Sequence, residues 1–453
     1  MRAASYEPRE ALPIGDLSRF ARFLCHLDLQ DVPGDAVSKA KVCLLDALGC
    51  MIAGAQTRTG RIARDYAGRG IQEGEASLTG SSRRVLVQNA AFGNGVMASA
   101  LDADDGHRQA TGHPGAVIIP AALAVAESTG ASGLRLVESL VCGYETAIRI
   151  GAALFSSSGV LRGSGHWGSV GAAAACGKIL GLDEAKMTAA LGIASSSAPA
   201  APPKILREGE NWPMTKECVG WGSNSGVSAS LLAQQGFSGP TLLRGIQEDA
   251  CDDLGVVFRI RDVYFKPYPS CRWTHPAVDA ALELKRRWDI AGEDVAAVCV
   301  STFARAGLLS YIRPRTVESA QFSIPFTIGA ALALGSVSVH ELTESQLDNP
   351  AILHVAERVR IEHRAEFDAL FPEAIPAEVT VTLRDGARFA ARVDVPKGSP
   401  GNPMDLEAIL AKFRELATYG KVSSEQQGRI VRAVLQAESA EDLSDITGPL
   451  RGE

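Results

Sequence analysis

Between two apolar stretches lies Leu101-Asp-Ala-Asp-Asp-Gly-His-Arg-Gln-Ala-Thr-Gly-His-Pro114, which gathers three carboxylates (Asp102, Asp104, Asp105) and two imidazoles (His107, His113). A loop held between buried helices must satisfy its polar groups, so such a cluster is costly unless it serves a purpose. Carboxylates beside imidazoles are suited to moving protons near neutral pH. A plainer reading is an Asp-rich helix end followed by a solvated loop. A metal site is a third reading, weakened because HExxH, EF-hand and Cys/His-quartet spacings are all absent.

A second cluster is Phe265-Lys-Pro-Tyr-Pro-Ser-Cys-Arg-Trp-Thr-His-Pro276, carrying Lys266, Tyr268, Arg272 and His275 on a proline-stiffened segment. Cations on such a hinge suit the capture of carboxylates, bidentately in the case of Arg. An ordinary Pro-rich linker is the alternative. In Trp212-Pro-Met-Thr-Lys-Glu-Cys-Val-Gly-Trp-Gly222, Lys216 is expected near the start of a small-residue helix. There it either snorkels to solvent or is held in a cleft as an anion or proton handle. Tyr144 and Arg149 are weaker candidates, since Arg149 can simply pair with Glu145 one turn earlier. The remaining histidines, His26, His340, His354 and His363, sit in surface-like contexts and receive no role.

Gly163-Ser-Gly-His-Trp-Gly168 matches GxGxxG, yet a polar loop precedes it instead of a strand. Dinucleotide binding is therefore not expected, and a Gly-rich turn opening a helix at Gly168 is.

These clusters need elements to position them. The chain has 453 residues, room for two or three domains, with 46% apolar and 21% charged residues, the balance of a globular core. Its net charge of −7 argues against nucleic acid as a partner, which would call for a basic face. Apolar runs such as Gly115–Ala126 are too short to span a membrane. Nine cysteines without a CxxC pair read as reduced thiols, and the N-terminal segment lacks a secretory apolar region, so a cytoplasmic location is expected.

Helical patterns run from residue 17 to about 265: Asp35–Ala53, Val87–Leu101, Pro114–Ser128, Ser132–Leu154, Gly168–Leu180, Asp183–Ser196 and Thr215–Gln235. After Lys266 the pattern mixes helices (His275–Asp289, Phe322–Leu334) with strands (Val295–Thr302, Arg358–His363, Glu378–Leu383, Arg388–Val395). Asp385-Gly386 marks a hairpin between the last two. Pro396–Pro403 reads as a linker, followed by helices over Met404–Tyr419 and Ser423–Ser439. The expected fold is mostly α. A large all-helical domain comprises residues 1–266 together with 401–453, and a smaller α+β lid domain comprises 267–400.

The segments LLDALGCMIAGA, NGVMASALDADDG–GHPGAVIIPAALA, GYETAIRIG, GAAAACGKILGL, MTK, KPYPSCRWTHPAVDA and AQFSIPF resemble the MmgE/PrpD family. That family includes 2-methylcitrate dehydratase, cis-aconitate decarboxylase and iminodisuccinate epimerase. The resemblance implies a helical domain with an α+β lid, a homodimer, and an interdomain active site without metal or other cofactor. It also implies chemistry on a small di- or tricarboxylate that begins with proton removal α to a carboxylate. Asp102 and His113 fall on the family's catalytic Asp and His, Lys216 on its active-site Lys, and Lys266 on the cation of the KPYP segment. On this reading Lys216, Lys266 and Arg272 would clamp carboxylates, and His113, held by Asp102, would move the proton.

Departures bear on which reaction is run. A decarboxylase His before the Gly/Ala-rich helix is replaced by Arg162, with His166 four residues later as its substitute. The decarboxylase Tyr falls at about Ile324, the His after the lysine at Val219-Gly220, and the imidazole near KPYP at Cys271. The expectation is a 2-methylcitrate dehydratase-like hydro-lyase, with an iminodisuccinate-type epimerase or a non-catalytic carboxylate binder as alternatives.

Overall fold

The computed structural model describes residues 13–70, 73–200 and 212–451. The N-terminal residues behind the compartment reading lie largely outside that range. No helix among the described residues is long and apolar enough to cross a membrane.

The first part of the chain is an array of helices, the main ones Gly34–Gly54, Val87–Ser99, Pro114–Thr129, Gly133–Ser158, Ser164–Ile179, Glu184–Ser197 and Val219–Gln234. Local chemistry sets their ends. The side chains of Asp183 and Ser132 accept N-terminal N–H groups, and Gly130 and Gly159 close two C-termini in the left-handed conformation. Abundant small residues let the axes approach closely. Where Gly133–Ser158 crosses Ser164–Ile179, a Cβ on Gly171 would lie 2.6 Å from the carbonyl oxygen of Gly143. Two short ribbons went unread in the sequence, Ile14–Asp16 with Leu242–Arg244 and Ala76–Ser77 with Arg84–Val85.

Two helix starts differ from expectation. The Gly163–Gly168 motif is not a turn before a helix; Gly163 is the N-cap and Gly165 to Gly168 already lie in Ser164–Ile179. The helix expected from Thr215 begins only at Val219, because Lys216 (φ 45°) and Cys218 (φ 57°) adopt left-handed backbone. Lys216 thus sits in the turn before the helix.

The lid is built on a four-stranded sheet in the order Val359–His363, Val295–Thr302, Ala377–Leu383, Arg388–Val393. The first pair is parallel and the other two antiparallel, with Gly386 (φ 90°) in the hairpin turn. Alternation along Ala377–Leu383 turns Val379 and Val381 inward, where they join Val278, Ala281 and Leu284 of helix His275–Trp288 in one core. A separate, larger core fills the helical part. Ile409, Phe413, Ile430 and Val434 of the C-terminal helices Leu406–Tyr419 and Ser424–Leu435 pack into that larger core. The molecule is therefore mostly helical, with a large helical body and a smaller α+β unit.

Candidate active site

The Asp-rich loop joins helix Val87–Ser99 to helix Pro114–Thr129, and an antiparallel bridge between Gly106 and Tyr264 ties it to the chain just before Lys266. At its head Asp102 has left-handed backbone (φ 53°). Such geometry costs a non-glycine residue on the order of 1 kcal/mol and persists where surrounding contacts enforce it. Those contacts are two ammonium groups. Lys216 Nζ lies 3.3 Å from Oδ1, and Lys266 Nζ lies 3.0 Å from Oδ2 and 2.9 Å from the main-chain oxygen of the same residue. Lys216 also donates to Ser99 O (2.7 Å) and to Gln321 Oε1 (2.8 Å). The Gln321 amide in turn donates to Ala100 O (3.0 Å), so its orientation is fixed at both ends.

Burial alone would raise the Asp102 carboxyl, but Lys266 and Lys216, with His113 beyond them, hold it well below the usual carboxylate range. The Asp102–Lys216–Lys266 group carries one net positive charge.

His113 is fixed from the other side of the loop. Its N–H donates to Ser164 Oγ (2.8 Å), and its Nδ1 lies 2.8 Å from Asp105 O. A carbonyl can only accept, so Nδ1 carries a proton and donates to it, which leaves Nε2 as the ring nitrogen available for proton transfer. Glu217 Oε1 is 3.8 Å from Nε2, and the Ser164 hydroxyl holds the other oxygen of Glu217. The expected His113–Asp102 hydrogen bond is not formed. The nearer partners are Asp105 O and, at 3.6 Å, Asp104 Oδ2.

Behind His113 is a buried acidic group. Burial, then the charge of Asp46, pushes the Asp105 carboxyl up to about 7. Its oxygens accept from Tyr144 Oη (2.5 Å) and Gly115 N (2.9 Å). A Cβ at position 115 would lie 2.4 Å from that tyrosine oxygen, so the residue after Pro114 has to be glycine. Lys412, from the C-terminal helices, donates to Asp46 (2.5 Å) and to Ala103 O (2.6 Å) and so props the loop from below.

Asp102, His113 and Glu217 open on a small cleft of about 60 Å³, closed on its far side by Arg108, Tyr264 and Arg272 and by the lid's Phe371-Pro372. Lys216 and Lys266 do not line this cleft; they stand behind Asp102. Arg108 donates to Pro372 O (3.1 Å), joining loop to lid. Arg272 lies 4.8 Å from the Tyr264 ring, and its terminal nitrogens bind Lys397 O, Pro396 O and Ser399 Oγ. Burial lowers its guanidinium to about 10, still protonated at neutral pH.

Other sequence candidates fall elsewhere. His275 is wholly buried; its Nε2 donates to Ser270 O (3.0 Å), so its Nδ1 accepts from Arg272 (3.0 Å). Burial and Arg272 hold it neutral, as a brace for that arginine. Tyr268 donates to Asp279 (2.6 Å) within the lid. Tyr144 stands behind Asp105. Arg149 pairs with Glu145 and Asp253 and lines a different hollow. His166 is half-buried with Nδ1 3.4 Å from Pro199 O, outside the cleft lining. Arg162 caps Leu154 O and Ser158 Oγ. Three residues of the site went unread: Glu217 beside the lysine, Gln321 in AQFSIPF, and Arg108 in the Asp loop. Only their neighbours' motifs could have signalled them. Among the described residues no group of three His, Cys, Asp or Glu side chains is arranged to hold a metal.

The model of the MmgE/PrpD N-terminal domain matches residues 18–245, and that of the MmgE/PrpD C-terminal domain matches residues 268–437. The chain belongs to the MmgE/PrpD family. It is 28% identical to the cis-aconitate decarboxylase-like protein oryM of Aspergillus oryzae, over 98% of this chain and 99% of that one. It is 25% identical to a cis-aconitate decarboxylase of Aspergillus terreus (94% of each chain) and 26% identical to that of Homo sapiens (96% and 94%). The cleft of this MmgE/PrpD chain lies where its two matched regions meet, with Asp102, His113 and Glu217 from the first and Arg272 and Phe371 from the second.

Proposed function

We propose that this chain is a lyase acting on a small di- or tricarboxylate by removing a proton α to a carboxylate, in the manner of a 2-methylcitrate dehydratase-like hydro-lyase. One observation carries the reading: Asp102, kept ionised by two lysines, and His113, with Nδ1 committed to Asp105 O and Nε2 left for proton transfer, line the same cleft as Arg108 and Arg272.

A C–H beside a carboxylate is weakly acidic because its loss puts a second negative charge on that group. Arg108 and Arg272 supply positive charge for the substrate's carboxylates, and the net charge of the lysine-bound Asp102 group adds to that field. His113 Nε2 takes the proton, and the imidazolium so formed is stabilised by Glu217 and Asp104. The C–H electron pair becomes the new C=C bond as the neighbouring hydroxyl leaves, taking the proton back from the His113 imidazolium, so that one water is released and the imidazole is restored to its starting state. Asp102 fixes the loop that carries this machinery and lies against the substrate.

The relatives' names support a tricarboxylate-sized substrate. Against decarboxylation stand the positions where the resemblance locates that reaction's donors. Arg162 is turned away, Ile324 is buried in the lid core, Val219-Gly220 opens a helix, and Cys271 occupies the cleft wall.

Incubation with 2-methylcitrate, followed by ultraviolet absorbance of the enoate product, is expected to give a rising signal. Carbon dioxide release from cis-aconitate would instead assign a decarboxylase. Deuterium uptake at Cα of an amino diacid with no absorbance change would assign an epimerase. Calorimetric binding of citrate with none of these signals would reduce the chain to a binder.

A further inference from the structure

The Lys216 ammonium meets three acceptors, two in the helical body and one in the lid. Ser99 O lies at 2.7 Å, Gln321 Oε1 at 2.8 Å and Asp102 Oδ1 at 3.3 Å. An ammonium attracts a carboxylate more strongly than a neutral oxygen, and such a pair usually closes to about 2.7–2.9 Å. Here the order is reversed. The carboxylate is the most distant of the three, so the two neutral oxygens set where the ammonium stands. The Lys216 side chain is 4% exposed, so solvent offers little substitute for any of them.

Gln321 ends the short lid helix Val317–Gln321, wholly buried between Ala320 and Phe322 of the lid core. Three of its polar groups are committed. Its main-chain oxygen accepts from Cys271 N (2.8 Å) in the cleft wall, its Nε2 donates to Ala100 O (3.0 Å) in the body, and its Oε1 accepts from Lys216. The amide fits only this way round, because an ammonium only donates and a carbonyl only accepts. Gln321 itself does not line the cleft, whereas its neighbour Phe322 does.

We propose that Gln321 is a positioning residue: from the lid it holds the Lys216 ammonium off Asp102, so that Oδ1 of a carboxylate lining the cleft stays less than fully bound and available to the substrate. Asp102 Oδ2 is already taken by Lys266 at 3.0 Å, so Oδ1 is the oxygen that remains. Without the Gln321 acceptor, Lys216 would bury an unsatisfied N–H, and closing on Asp102 is the nearest relief. The inference rests on the reading of the cleft as the place where an acid reacts. It makes the reacting arrangement depend on the lid, since the body supplies only two of the three acceptors.

Two variants of the full chain test this. Gln321→Met keeps the volume and removes both polar atoms; Gln321→Glu keeps an acceptor for Lys216 and loses the donor to Ala100. Crystal structures of parent and variants measure the Lys216–Asp102 separation, and kcat and KM are measured with 2-methylcitrate, citrate and cis-aconitate. In Gln321→Met the separation should contract to about 2.8 Å, with kcat lowered about tenfold or more and KM changed less than about threefold. Gln321→Glu should hold the separation at or beyond the parental value and retain more of kcat than Gln321→Met. A purely structural glutamine would lower the melting temperature of both variants and leave kcat of the folded protein unchanged. That result, an uncontracted separation in Gln321→Met, or a Gln321→Glu no more active than Gln321→Met overturns the proposal. Should Gln321→Met not fold, Gln321→Glu decides: a held or widened separation supports the proposal, and a contracted one overturns it. The separation is read without substrate, so a parent that turns over none of the three acids would sink the functional reading while the distances still decide this one.

Discussion

Lys266 grips Asp102 at two points, the carboxylate oxygen at 3.0 Å and the main-chain oxygen at 2.9 Å, and it does so with no exposure to solvent. A wholly buried ammonium needs its counter-charge. Asp102→Asn leaves Lys266 and Lys216 buried against each other without one, and breaking a buried pair in this way costs about 3 kcal/mol or more. Urea denaturation is expected to show that loss, with turnover abolished. A variant as stable as the parent would mean the ion group contributes nothing to the fold.

Lys216 acts through Asp102. With Lys216→Met, one of the two cations that hold the carboxyl low is gone, so Asp102 takes up a proton at higher pH than in the parent. Acid unfolding of Lys216→Met, followed by circular dichroism, is therefore expected to set in at higher pH than in the parent, because the stability a depressed carboxyl contributes is lost as pH falls through its folded value. An unchanged acid transition would mean that Lys216 does not hold the carboxyl low.

Asp105 gives a stability signature of the opposite sense. Folded, its carboxyl is raised to about 7; unfolded, it releases its proton near 4. Between those values the folded chain holds the extra proton, so this group makes stability fall as pH rises, by up to about 1.4 kcal/mol per unit. His107, lowered to about 3 by burial and then by Arg259, works the other way and destabilises the fold below about pH 6.5. Subtracting the parent's denaturation curve from that of Asp105→Asn isolates the first effect. The difference is expected to favour the variant increasingly from pH 4 to 7, then to level off.

Arg108 offers a guanidinium to the cleft, so Arg108→Gln should raise KM by about tenfold or more while kcat falls less. Equal losses in kcat and kcat/KM would assign the residue to the chemical step instead of to binding.

Much of this was readable from the chain alone. The helices and the lid strands follow from apolar period, Gly and Asp caps and the Asp385-Gly386 turn, each a local signal. The Asp loop and KPYP segment stood out because their residue types are costly to bury without partners. What stayed hidden depends on distance in space. Lys216 reads as helical until tertiary contacts force a left-handed turn on it. Asp102 and His113 look like a natural pair, yet the carbonyl of Asp105 lies closer to the imidazole. His275 resembles a ligand-binding histidine and is a buried brace, since only the fold places Arg272 and Ser270 O at its two nitrogens. Arg108, Glu217 and Gln321 carry no motif of their own.

Proton exchange at the substrate carbon tests the heart of the account. Nuclear magnetic resonance in deuterium oxide would follow 2-methylcitrate, citrate and cis-aconitate with the parent and with His113→Ala. The parent should exchange or eliminate the hydrogen beside a carboxylate in at least one of them, and His113→Ala should bind that acid yet leave the hydrogen untouched. Undiminished exchange without the imidazole, or none in the parent with any of the three, would contradict it.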